Sequence, residues 1–269
     1  MDDARKDPAG SAIAGLAPAL LAAKAQQPWP RMLLLAGFAG GFIAFGSVIS
    51  MVAQSGGGDG GAVQLLSGFA FSVGLIMVMV VGAELFTGNT MMVLPAATGA
   101  LPPARMAGAW LLVWLGNLGG SLAVAALYAA AGGLDDSIGA AARRMVEEKL
   151  AKSALATFCS AILANMLVCL AVWMSMAAPR LPAKILAIVG PVMIFVAAGL
   201  EHSVANMSII PLGWLAMPAE AVAWSEGARN LLWSSLGNLA GGALLALGLA
   251  QGHGALRQDG AAAAREARR

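Results

Sequence analysis

Gly82-Ala83-Glu84-Leu85-Phe86-Thr87-Gly88-Asn89 interrupts an apolar chain, and Gly199-Leu200-Glu201-His202-Ser203-Val204-Ala205-Asn206 does so again in the other half. Both strings obey G-x-E-x-x-x-x-N. Each follows an uncharged stretch, residues 62–81 and 185–200, and leads into a short apolar piece, residues 90–99 and 207–217. A bilayer-spanning helix needs about 20 apolar residues, so these pieces cannot cross alone. The pattern predicts second and fifth spans that break inside the membrane. Working outward, residues 32–53, 106–131, 154–178 and 230–249 supply the first, third, fourth and sixth spans. The third and sixth also match, Leu115-Gly116-Asn117-Leu118-Gly119-Gly120 with Leu236-Gly237-Asn238-Leu239-Ala240-Gly241. The chain therefore reads as an all-α polytopic membrane protein with two repeats, residues 32–131 and 154–249. Each repeat has an odd number of spans, so the two lie inverted in the bilayer.

Composition supports that class and excludes others. Hydrophobic residues make up 59% of the 269 and charged residues 11%, with mean hydropathy +0.78. Soluble domains carry about 25% charged residues, so a water-facing surface is out of reach, and a disordered chain is excluded likewise. The 34 glycines suit close helix packing in lipid. A net charge of +2 with the basic residues in loops and tails implies no nucleic-acid partner. Cys159 and Cys169 share one predicted span, too far apart along it for a disulfide.

Lys and Arg set the orientation. Arg5, Lys6, Lys24, Arg31, Arg105, Arg180, Lys184, Arg257, Arg265, Arg268 and Arg269 lie on the side of the termini, against Arg143, Arg144, Lys149, Lys152 and Arg229 opposite. The positive-inside rule puts both termini in the cytoplasm. Residues 1–31 read as a cytoplasmic amphipathic arm. Asp2, Asp3 and Asp7 spoil the basic start that a signal peptide would need. Residues 250–269 read as a disordered cytoplasmic tail.

Matched helix breaks in inverted repeats mark a transport path near the midplane. Unwound backbone is tolerated at membrane depth only beside protein or a wet cavity, and the half-helix after each break turns its positive end toward the centre. That arrangement favours anions. His202 is the one histidine in the spans, and an ionisable group at that depth is a functional candidate able to titrate near neutrality. Glu84 and Glu201, with Asn89 and Asn206 in the same strings, read as structural at the breaks, the carboxylates accepting freed backbone N–H groups. Proton relay is the alternative for the two glutamates.

These strings, together with Asn165-Met166-Leu167-Val168-Cys169-Leu170-Ala171-Val172-Trp173-Met174, resemble the formate/nitrite transporter family over essentially all six spans. The resemblance implies an aquaporin-like fold, although no N-P-A motif occurs. It implies a homopentamer in a prokaryotic cytoplasmic (inner) membrane, each protomer with its own pore for small monovalent anions, and it implies no cofactor or metal. His202 then corresponds to the central pore histidine, Thr87 to the pore-loop threonine, Asn165 to the pore asparagine and Lys149, opening the fourth span, to the vestibule lysine. Phe71, Leu75, Leu85, Phe86, Val168 and Phe195 correspond to apolar constrictions, which gate by dewetting. On residue type alone, Thr87 also suits a helix N-cap, Lys149 an interfacial snorkel, and the apolar six plain packing.

The strings Phe86-Thr87-Gly88-Asn89-Thr90-Met91 and Asn230-Leu231-Leu232-Trp233 lean toward the nitrite branch, with formate or hydrosulfide as the other family substrates. An aquaporin-like channel for neutral solutes is the rival outside the family. An enzyme is not expected. Ser203 beside His202 does not face it on a helix, and no Gly-x-Ser-x-Gly elbow or metal-binding histidine pair occurs.

Overall fold

The computed structural model describes residues 10–57, 60–134, 136–178 and 180–256. Residues 1–9 of the arm and 257–269 of the tail lie outside the described residues. In chain order the helices are α1 (Gly10–Ala25), α2 (Trp29–Ser55), α3 (Gly61–Val81), α4 (Phe86–Asn89), α5 (Val93–Ala97) and α6 (Pro103–Ala130), then α7 (Asp136–Leu150), α8 (Ala154–Ala177), α9 (Leu181–Ala197), α10 (Ser203–Leu215) and α11 (Trp224–Gly252). Among the described residues there is no strand, and α2, α3, α6, α8 and α11 are long and apolar enough to cross a membrane. The 17-residue α9 reaches about 25 Å, and with α10 it makes up the broken fifth span.

Both broken spans end where a glycine takes a left-handed turn. Gly82 has φ +75° and Gly199 φ +62°, a conformation in which any side chain would be strained. After the first turn the chain resumes as α4, a 3₁₀ turn over Thr90–Met92 and α5. After the second it resumes as the regular 13-residue α10. Both resume earlier than hydropathy predicts, because the first helical residues are the polar ones of the motif. α2 and α11 outrun their predicted spans at both ends, since hydropathy registers only the part that suits hydrocarbon, whereas α3, α6 and α8 keep within three residues of theirs.

Within the first repeat α2 packs on α3 and α6, and within the second α8 packs on α9 and α11; α3 against α9 joins the two. The resumed helices cross over: α10 lies on α2 and α6, while α4 and α5 lie on α8 and α11. The Gly-x-x-x-Gly stripes serve these contacts inside one protomer. A Cβ at Gly120 would collide with the Gly37 carbonyl, and one at Gly241 with the Ile162 carbonyl.

One short helix precedes the first span of each repeat. The arm contains α1, whose Ala14, Ala17, Leu21, Ala22 and Ala25 are buried against the protein itself. The charged segment between the third and fourth spans, expected as a loop, contains α7, with Ala141, Ala142, Met145 and Val146 buried. Lys149 therefore does not open the fourth span. It sits in the last turn of α7, as Lys24 sits in the last turn of α1, and α8 begins only after the Ser153 cap. An apolar-run criterion skips such a helix because only one of its faces is apolar. Cys159 and Cys169 are both free.

Candidate functional site

The broken backbone is satisfied by two asparagines from the matched third and sixth spans. Asn117 Oδ1 accepts the Phe86 N–H at 2.8 Å, and its Nδ2 donates to Ala36 O at 2.8 Å and Glu84 O at 2.9 Å. Asn238 repeats this, accepting the Ser203 N–H at 2.8 Å and donating to Ala161 O at 2.8 Å and Glu201 O at 3.0 Å. Each amide thus holds the break and ties it to the first span of its own repeat. Both are fully buried, where an unpaired backbone group is costly.

The glutamates consequently do not take backbone N–H groups, as the sequence suggested. Glu84 accepts from Gln27 Nε2 at 2.7 Å and from Asn89 Nδ2 at 2.8 Å, with Lys24 Nζ at 3.1 Å. Glu201 accepts from Asn206 Nδ2 at 2.6 Å and Asn230 Nδ2 at 3.2 Å, with Lys152 Nζ at 2.6 Å and Lys149 Nζ at 3.3 Å. The spacing in G-x-E-x-x-x-x-N thus lets the asparagine at the start of the resumed helix hold the glutamate before it. Burial pulls the Lys149 amine below its ordinary pKa, and Glu201 opposes that shift.

Each cluster borders a vestibule of about 260 Å³. One, on the side where α1 begins and α11 ends, is lined by Lys24, Ala83, Leu85, Asn89 and Val172 among others. The other is lined by Ser50, Gln54, Gln64, Lys149 and Lys152, with Phe71 and Phe195 reaching into it. Between them the protein is closed. Phe71 and Phe195 meet edge to face with centroids 5.7 Å apart, and Phe195 stacks on the His202 ring at 5.5 Å. Phe71, Leu75, Leu85, Phe86, Val168 and Phe195 all belong to one buried apolar cluster.

At the centre His202 Nε2 lies 2.9 Å from Thr87 Oγ1. His202 is the N-cap of α10 and accepts the Ala205 N–H on Nδ1 at 3.0 Å. A backbone N–H can only donate, so the neutral ring carries its proton on Nε2, aimed at the Thr87 hydroxyl. Thr87 is not itself a cap; that position belongs to Leu85. Asn165 stands behind Thr87, its Nδ2 donating to Thr87 O at 3.2 Å, Thr90 Oγ1 at 2.9 Å and Asn238 O at 2.6 Å. It holds Thr87 through the backbone and does not line either vestibule.

The structure thus brings His202 and Thr87 into direct contact and leaves Lys149 at a vestibule, linked to the centre through Glu201. The sequence reading did not single out Asn117, Asn238, Asn230, Gln27 or Lys152 as site residues. Asn117 and Asn238 had a signal, an amide at the same place in both Leu-Gly-Asn-Leu strings. Gln27 and Lys152 had none, since each meets its glutamate from far along the chain.

A helical membrane protein with two inverted repeats, broken helices and a polar pair sealed between two vestibules is a channel or transporter. A family model described as formate/nitrite transporter matches residues 12–251, and the chain belongs to that family. It is 35% identical over 240 residues to the formate channel FocA of Escherichia coli strain K12, covering 80% of this chain and 83% of the relative. To the nitrite transporter NirC of the same strain it is 37% identical over 185 residues, covering 67% and 68%. A solved structure described as a pentameric formate channel with formate bound superposes with TM-score 0.75 at 31% identity, covering 80% of this chain and 93% of that one. These relatives are channels and transporters, not enzymes.

Proposed function

We propose that the protein forms a homopentamer of independent pores in a prokaryotic inner membrane, both termini cytoplasmic, passing nitrite or formate together with a proton through His202. The contact between His202 Nε2 and Thr87 Oγ1 carries this reading. It sets one polar group from each repeat in contact beside the stacked phenylalanines of the apolar seal, and both can hydrogen-bond a small anion.

A bare anion entering the seal loses hydration worth several kcal/mol or more, a cost that a proton removes. The resting ring is a neutral donor, so it must gain a second proton before acting as an acid. That proton goes to Nδ1 and displaces the Ala205 N–H. The imidazolium then gives its Nε2 proton to the anion, leaving neutral acid and neutral ring. On this reading each proton step is coupled to loosening of the first turn of α10.

His202→Asn keeps a polar group but cannot titrate near neutrality. In proteoliposomes, wild-type uptake of formate or nitrite is expected to be electrically silent and to bring protons with it. The Asn variant is expected to lose that proton movement, retaining at most passive anion current. Wild-type uptake without proton movement would reject the coupling, and rapid glycerol uptake with no anion uptake would favour a neutral-solute channel.

A further inference from the structure

The two clusters set the same charged groups around their carboxylates except at one position. Where Gln27 reaches Glu84 on the terminal face, Lys152 reaches Glu201 on the opposite face. The neighbouring arginines match: Arg105 donates to Ala25 O and Gln27 O, and Arg229 donates to Leu150 O and Lys152 O. They cancel in any comparison of the two faces. Lys24 with Glu84 sums to zero, whereas Lys149 and Lys152 with Glu201 leave one positive charge. Glu148 also lines the second vestibule, but it is exposed, where water and salt weaken its reach. Glu201 is fully buried, and the Lys152 side chain is 30% exposed beside it.

We propose that Lys152 makes the vestibule opposite the termini the tighter anion entrance, while Gln27 leaves the terminal one without surplus charge. The inference rests on the reading that the chain passes small anions. It adds a residue that sets half-saturation at one face only. A channel without an energy source cannot favour one direction. At equal pH its entry rates at low substrate must be the same from both faces. The asymmetry therefore appears in the concentration that half-saturates entry. One charge about 6 Å from an anion in a largely aqueous vestibule changes its local concentration about threefold at low salt.

The test measures entry of isotope-labelled formate into right-side-out and everted membrane vesicles containing the full-length protein, at equal pH on both faces. Lys152→Gln is expected to raise half-saturation about threefold at the Lys152 face in low salt, and to leave the other face unchanged. The difference should shrink in high salt. Lys152→Arg should behave as wild type, and Gln27→Lys should lower half-saturation at the terminal face. Lys152 also donates to the Gly199 carbonyl at 2.6 Å, a role that arginine would serve less well. If Lys152→Arg were as impaired as Lys152→Gln, that capping bond would account for the residue and the proposal would fall. Unchanged half-saturation in Lys152→Gln at both faces would overturn it too. A wild-type protein that moves neither formate nor nitrite would overturn the transport reading and this inference together.

Discussion

The two repeats solve the same problem at their breaks and then part company around it. Asn117 and Asn238 make the same three hydrogen bonds to equivalent backbone atoms. Around the carboxylates the designs diverge. Glu84 has one lysine beside it, its side chain 39% exposed, whereas Glu201 has two, one of them only 12% exposed. Behind the resumed helices the divergence becomes a swap. In the first repeat the α2 position is Gly40 and its α6 neighbour Ser121, whose hydroxyl donates to Gly40 O. In the second, α8 carries the large residue, Asn165, and α11 the small one, Gly242. Backbone satisfaction is common to both repeats; electrostatics and pore shape belong to each separately.

The largest expected effect tests the shared part. Asn117→Ala or Asn238→Ala leaves one N–H and two carbonyls without their partner in a dry interior, at about 1–3 kcal/mol for each group. Both variants should lose many degrees of thermal stability in detergent, to a similar extent. A large loss for one with none for the other would break the equivalence. Next comes the carboxylate pair. Glu201→Gln leaves two lysines facing each other, and removing one partner of a buried pair costs about 3–5 kcal/mol. Glu84→Gln leaves one lysine that water can solvate, for about 1 kcal/mol or less. Thermal unfolding of the two variants side by side should show the larger drop for Glu201→Gln; equal drops would mean that the second lysine adds nothing.

The smallest effect on stability sharpens the swap. A Cβ at Gly242 would collide with the Thr90 hydroxyl and press on Asn165, both of which support Thr87. Gly242→Ala is expected to lower anion uptake more than tenfold with a modest loss of stability. Ser121→Ala, at the matching place, removes one hydrogen bond of 3.2 Å and should leave uptake within about twofold. Normal uptake by Gly242→Ala would show that the support behind Thr87 is slack.

Much of this architecture was legible because it rests on backbone logic. A membrane helix cannot break without help, so a polar string at the end of an apolar run announces a break, and two matched strings announce an inverted pair. His202 stood out as the one histidine in the spans and Thr87 through the family resemblance, and the structure brings them together. The partners of Glu84 and Glu201 were not legible. A carboxylate accepts from any donor within reach. Lys24, Gln27, Lys149 and Lys152 come from the ends of α1 and α7 or the turns just after them. These helices precede each repeat and share little sequence beyond a lysine in the last turn. Lys149 was misplaced for the same reason: its helix lies partly in water and shows no apolar run.

The hydrogen bond at the centre has a consequence for how such a molecule could arise. His202 and Leu85 occupy equivalent caps, at the starts of α10 and α4, and Thr87 is paired in the same way with Val204. Two identical half-sized chains, inserted in opposite directions, could share the left-handed glycine turns, the asparagine supports and the glutamate–asparagine pairs described above. They would carry the histidine–threonine contact twice, once on each side of the axis between them, or not at all. A single histidine facing a single threonine demands that the copies differ at the positions nearest their symmetry axis. Joining them in one polypeptide is what permits that difference to be encoded.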